Sequence, residues 1–155
     1  MGTLFFIGDS ITTGAWDERG GWTNRLIGKI MDHTIQADFK ENGFYCLPYN
    51  LGVSGDTVAD VLNRLEREVS ARIDPGEAVQ FVYAIGINDS LYQDGEVLFT
   101  DEAFKKNLEK LITQSRQFTQ NISFIGLTPA DDALLNPIPW APDKAYKNER
   151  VKYFE

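Results

Sequence analysis

The chain has 155 residues, enough for one domain, residues 1–155, that buries roughly two-thirds of the surface its unfolded form exposes. It is 43% hydrophobic and 25% charged, an ordinary globular composition, and its net charge of −8 comes from 15 basic and 23 acidic residues interspersed without a basic tract. That pattern argues against nucleic acid and anionic membrane as partners, since phosphate binding needs clustered Lys and Arg.

One cysteine, Cys46, excludes an internal disulfide and a four-cysteine zinc site. The N-terminal MGTLFFIGDS lacks the charged and long apolar regions of a secretory signal, and Phe6 stands where myristoylation needs Ser or Thr. No apolar stretch reaches membrane-spanning length, so the expectation is a cytoplasmic protein without membrane insertion.

Residues 4–7 form a continuous apolar run that stops at Gly8, the pattern of a strand covered on both faces. After a glycine-rich loop, Trp22, Leu26, Ile27, Ile30 and Met31 fall at helical spacing over 22–32. Residues 44–51 read as a second strand, with Pro48 suiting a strand end or edge. Thr57, with Asp60 three positions on, predicts the cap of a helix whose inner face carries Val58, Val61, Leu62, Leu65 and Val69. A turn at 74–76 leads to a buried strand at 78–85. A helix over 101–118 follows, with Phe104, Leu108, Leu111 and Ile112 inward, then a strand at 122–127. Four prolines make 128–142 a loop, after which Pro142-Asp143 opens a helix running to the chain end.

Strands alternating with helices predict a parallel sheet with helices on both faces. In such sheets ligands bind outside the carboxyl ends of the strands. The loops after Ile7, Leu51 and Ile85 therefore meet at one edge, and each carries a motif. In Gly8-Asp9-Ser10, a sharp turn delivers a serine to a helix start; the alternative is that Asp9 or Ser10 only caps that helix. In NLGVSGDT, residues 50–57, Gly52 and Gly55 bracket a tight connection whose Gly55 N–H can point into a site, or which is simply a loop with a Thr cap. In AIGINDS, residues 84–90, the Asn88 amide is a neutral, directional donor of the kind that stabilises an oxyanion, or else part of an Asx turn.

Taken together and in this order, FIGDSIT, NLGVSGDT and AIGINDS resemble the SGNH hydrolases, the GDSL esterase/lipase family. The likeness spans 4–127, and GLTPADD at 126–132 is similar to the family's segment after its fourth strand. The resemblance implies a flavodoxin-like three-layer α/β/α sandwich with a parallel sheet. It further implies a serine esterase with Ser10 as nucleophile and an oxyanion hole made by the Ser10 N–H, the Gly55 N–H and the Asn88 side chain. Asp9 has a supporting role in the turn, and neither metal nor cofactor is required.

A serine hydroxyl is a poor nucleophile until a base takes its proton. In this family the base is a histidine in an Asp-x-x-His motif near the C-terminus, after a fifth strand, and these 155 residues contain no such motif. The sole histidine, His33, belongs to the first long helix, which runs back along the sheet away from the active edge. The sequence therefore reads as a family member lacking its last strand and its Asp-His pair, with an exposed sheet edge that invites a homo-oligomer.

Trp16, Trp22 and Trp140 read as core or rim packing in preference to an acyl pocket, with Trp140 the lid candidate in its proline-rich loop. Asp131, Asp132 and Asp143 have no spacing with histidine that makes a metal site. The leading expectation is a hydrolase of small carboxylic esters or acetylated sugars acting through an acyl-Ser10 intermediate. The rival is a non-catalytic module that keeps the oxyanion pocket and binds an ester, carboxylate or sugar. A phosphate or flavin binder is disfavoured, because GDSITTG lacks the composition of a phosphate cradle and Asp9 repels an anion.

Overall fold

The computed structural model describes residues 2–37 and 45–154. In chain order the first half runs β1 (Gly2–Gly8), α1 (Ser10–Thr13), α2 (Gly21–Gln36), β2 (Cys46–Gly52), α3 (Val58–Ser70) and β3 (Ala78–Ala84). The second half runs β4 (Tyr92–Gln93), β5 (Glu96–Val97), α4 (Asp101–Ser115), β6 (Ile122–Phe124), α5 (Asp132–Leu135), β7 (Lys144–Ala145) and α6 (Asn148–Phe154). The main sheet has the order β2-β1-β3-β6, and all of its pairings are parallel, as the alternation of strands and helices predicts.

Successive strand residues point to opposite faces, and that period divides the molecule into three layers. Phe5 and Ile7 of β1 and Val79, Phe81 and Tyr83 of β3 face α3 and α4 and form the core with Val58, Val61, Leu65, Val69 and Leu111. Phe6 points the other way, into an edge-to-face contact with Trp22 of α2, ring centroids 5.6 Å apart. The α3 N-terminus is a full capping box: the Thr57 hydroxyl accepts from the Asp60 N–H, and the Asp60 carboxylate accepts from the Thr57 N–H at 2.9 Å.

Three elements differ from the sequence expectation. Helix α2 buries Gly21, Thr23 and Thr34, while Leu26 and Met31 remain 39% and 41% exposed. The helix lies over the β1–β2 side, and Gln80 and Ile125 are exposed beyond it, so one apolar stripe of α2 faces no layer among the described residues. Strand β6 pairs over three residues only, Ile122–Phe124, although the Ile125 N–H still donates to the Tyr83 carbonyl of β3. The expected start of β2 at Phe44 lies outside the described residues.

The last helix begins at Asn148 and not at Pro142, because Lys144 and Ala145 are recruited as β7 into a small antiparallel sheet, β5-β4-β7. The β4–β5 hairpin turns on Asp94 and Gly95, with φ of 53° and 83°. Two successive left-handed residues are what a two-residue hairpin turn demands, and Asp-Gly is a favoured pair for it. Helix α6 then docks on α4: Phe154 stacks flat on Phe104 at 4.1 Å, and Arg150 lies over Phe154 while pairing with Asp101 at 2.9 Å. No helix among the described residues is long and apolar enough to cross a membrane.

The carboxyl edge is packed to backbone contact. A Cβ added to Gly52 would stand 2.4 Å from the Thr13 nitrogen and 2.7 Å from the Asp9 carbonyl, neither of which can swing away. Gly52→Ala should therefore cost about 1–3 kcal/mol in urea unfolding, the usual penalty of forced overpacking. Gly28, in α2 with nothing within 4 Å of an added Cβ, is the control. There alanine should stabilise by about 0.5–1 kcal/mol.

Candidate active site

Register fixes which loops meet. Gly8 at the end of β1 pairs across to Gly52 of β2 on one side and Ala84 of β3 on the other. The three motif-bearing loops therefore leave the sheet from one transverse row. The Val53 N–H donates to the Gly8 carbonyl at 3.0 Å and prolongs the row by one bond.

The first loop turns at once into α1. Asp9 caps it with extended backbone, its carboxylate accepting from the Ile11 N–H at 2.9 Å, and Gly14 ends it in the left-handed region at φ 85°. A helix of four residues is not self-supporting, and this one is tied down from three sides. The Thr12 hydroxyl donates to the Ala84 carbonyl of β3, and the Asn24 amide of α2 donates to the Thr13 carbonyl. The Asn50 amide donates to the Thr12 carbonyl at 2.9 Å, while its oxygen accepts from the Gly52 N–H. Ser10 opens this helix, half-buried.

The second loop closes a turn over 53–56, with the Asp56 N–H donating to the Val53 carbonyl. Gly55 is its third residue, exposed and at φ 88°, a conformation that other residues adopt only with strain. The third loop carries Asn88 and Asp89 into a single 3-10 turn, 88–90. The Asn88 amide nitrogen donates to the Asp56 carbonyl at 2.8 Å, and its oxygen accepts from the Tyr146 hydroxyl at 2.7 Å. Asp89, 1% exposed, accepts from the Val58 N–H and so binds this loop to the start of α3.

Arg64 joins the loops. From α3 its Nε donates to the Asp56 carboxylate at 2.7 Å, and a terminal nitrogen donates to the Leu51 carbonyl at 2.8 Å and the Gly8 carbonyl at 3.3 Å. Through Arg64, Asp56 and Asn88, a continuous chain of hydrogen bonds runs from Gly8, two residues before Ser10, past the neighbour of Gly55, to Asn88 and Tyr146. The sequence reading singled out Ser10, Gly55, Asn88 and Asp9 but missed Arg64, Asp56, Asp89, Asn50 and Tyr146. Asn50 and Asp89 lie inside the quoted motifs, whereas Arg64 reads in sequence as one more charge on a solvated helix face.

A cavity of about 220 Å³ opens at the same edge on the α2 side. Asp9, Ile11, Trp22, Ile87 and Ile125 line it with residues 126–128, and Ser10, Gly55 and Asn88 do not. Of the three tryptophans, Trp22 alone packs as expected of a core or rim residue; Trp16 is fully exposed and Trp140 is 80% exposed. His33 lies in the last turn of α2, about 18 Å of helix rise from Gly21 at the site end. Among the described residues no group of three His, Cys, Asp or Glu is placed to hold a metal.

Burial dominates the electrostatics. It pushes the Asp9 carboxyl up to about 6 against hydrogen bonds from the Ile11 and Thr12 backbone, with the charge of Asp56 adding to the rise. Burial likewise pushes Asp89 up to about 7 against its bond from Val58, helped by the charges of Asp60 and Asp9. The Tyr146 hydroxyl is pushed up to about 12 by burial and then by the negative charge of Asp9.

A model of the GDSL-like lipase/acylhydrolase family matches residues 6–155. The structure is similar to a lipase/acylhydrolase from Enterococcus faecalis at 25% identity and a TM-score of 0.69, covering 99% of this chain and 67% of that one. It is similar to AlinE4, an SGNH-hydrolase family esterase, at 21% identity and 0.61, covering 86% of this chain and 62% of that one. A catalytic mutant of Axe2, an acetylxylan esterase from Geobacillus stearothermophilus, aligns at 20% identity and 0.60, covering 99% of this chain and 73% of that one. At 21% and 20% identity the latter two speak to the fold alone. The chain thus spans about two-thirds of the length of these structures. A search of curated proteins found no match.

Two predictions concern the frame of the site. Arg64→Ala leaves the largely buried Asp56 without its cation and should cost about 3 kcal/mol in urea unfolding. Asp9 and Asp89 both ionise at higher pH in the folded chain than the ordinary carboxyl value of 3.8. Between that value and about 7 the folded state holds protons that the unfolded state has released, so their contribution to stability falls as pH rises. Asp89→Asn should therefore flatten the decline of the urea midpoint across this window; an unchanged slope would refute the assignment.

Proposed function

The chain belongs to the GDSL-like lipase/acylhydrolase family, and from that premise we propose that it carries the nucleophile and oxyanion hole of a serine esterase acting on small carboxylic esters, acetylated sugars among them. Ser10 Oγ attacks the acyl carbon and gives up its proton to a general base. The carbonyl electron pair moves to oxygen, and the oxyanion accepts hydrogen bonds from the Ser10 N–H, the Gly55 N–H and the Asn88 amide. Collapse expels the alcohol and leaves acyl-Ser10, which water hydrolyses by the same route. Asp9 holds the turn and does not attack.

The observation that carries this reading is the hydrogen-bonded chain from Gly8 through Arg64 and Asp56 to Asn88, which gathers the three motif loops at one sheet edge. Neutral N–H donors at an acyl oxygen are each worth about 10²–10³ in rate. The reading needs a base other than His33, and the Asp-x-x-His pair is where the family resemblance puts it. Metal and cofactor have no step to perform in this scheme.

The test is covalent. A fluorophosphonate should add to Ser10 of the folded chain only slowly while no base takes its proton, leave Ser10→Ala unmodified, and label Asn88→Ala about 10²–10³ more slowly still. Without its base, the chain should turn over p-nitrophenyl acetate only at the level left to oxyanion contacts and binding, about 10³–10⁴ over water in the serine protease template. No Ser10-dependent reaction from the folded chain would leave a binding module that retains the oxyanion pocket.

A further inference from the structure

Asn88 is held at both ends of its amide. The Asp56 carbonyl has no proton to give, so the group facing it at 2.8 Å is the amide nitrogen, and the Asn88 oxygen must face Tyr146. At 2.7 Å the tyrosine hydroxyl then acts as the donor. Its proton is secure across the physiological range, since burial and the charge of Asp9 push the phenol up to about 12.

We propose that Tyr146 is a positioning residue for the oxyanion hole, fixing the Asn88 amide plane and polarising it so that its second N–H is presented to the acyl oxygen. This rests on the esterase reading above. One N–H of Asn88 is spent on Asp56, which leaves one for substrate. A single bond would let the amide plane swing about that axis, and two bonds on opposite sides of the amide do not. Donation into the Asn88 oxygen also draws charge toward it and strengthens the remaining N–H as a donor, as bonds in series do in a low-dielectric site.

Tyr146 reaches this position from outside the motif loops. Its own N–H donates to the Leu135 carbonyl at 2.9 Å, and β7 immediately before it pairs with β4, the strand that follows the Asn88 turn. The small sheet thus brings a residue some sixty positions downstream back onto the amide. It gives the recruitment of Lys144 and Ala145 into β7 a functional consequence.

The experiment compares wild type, Tyr146→Phe, Asn88→Ala and the double variant, with Ser10→Ala as control. The side-chain amide peaks of Asn88, identified by their loss in Asn88→Ala, are read by ¹⁵N NMR. In Tyr146→Phe they should shift and exchange faster with water while the backbone spectrum stays native, a signature that a packing role would not give. Fluorophosphonate labelling of Ser10 should slow about 10-fold in Tyr146→Phe, less than the loss expected when the donor itself is removed. The tyrosine change should have no further effect once Asn88 is alanine. Unchanged amide peaks, or an equal slowing in the Asn88→Ala background, would overturn the inference and leave the esterase reading intact. Labelling that does not depend on Ser10 would instead sink that reading, and the positioning role with it.

Discussion

One guanidinium organises the carboxyl edge of the sheet. Strand ends are where backbone carbonyls run out of ladder partners, and an unpartnered buried carbonyl is costly. Arg64 donates from a terminal nitrogen to the Leu51 carbonyl and to the Gly8 carbonyl, which also accepts from the Val53 N–H, and from its Nε to Asp56. The planar fork of arginine suits three acceptors in fixed directions, where a lysine ammonium would act as a point charge. Asp56 is thereby immobilised, and its own carbonyl becomes a fixed reference for the Asn88 amide. The loops are ordered because one helix reaches across and holds the strand termini from which they spring.

The same edge is built by excluding side chains. Gly8 and Gly52 sit where any Cβ would strike backbone or the Thr12 side chain, so α1 can lie against the strand ends. The four residues of α1 then have no need of intrinsic helix stability, because Thr12, Asn50 and Asn24 tie them to β3, β2 and α2. Buried acids accompany this economy. Asp9 and Asp89 are hydrogen-bonded to backbone N–H groups, which fixes two loops, and their burial raises both ionisations, to about 6 and about 7, against those bonds.

How much of this was readable in the residues follows from which interactions are local. The apolar run ending at Gly8, the Thr57–Asp60 box and the stripe Val58, Val61, Leu65, Val69 are short-range signals, and the structure has each of them. The three motif loops were legible as well, since each sits at the end of a strand. What failed was long-range. Spacing put the apolar residues of α2 on one inner face, but which side is inner depends on where the sheet has cover. The split of 143–154 into β7 and α6 depends on a hairpin fifty residues upstream, although Gln93-Asp94-Gly95-Glu96 did advertise the turn. Nothing near Tyr146 or Arg64 announces the partners that each one meets.

The parallel strands β1, β2 and β3 are seven residues each and start and finish together in register. They act as spacers of equal length between two rims of the molecule. A change in chain length at the amino rim, such as at the 71–77 turn, leaves the opposite rim unmoved as long as the strands keep their pairing. A single residue gained or lost inside a strand inverts every side chain beyond it, exchanging Phe5 for Phe6 and carrying Ser10 to the wrong side. Tolerance to insertion and deletion should therefore be strongly polar along this fold, permissive at one rim and closed along the whole path to the other.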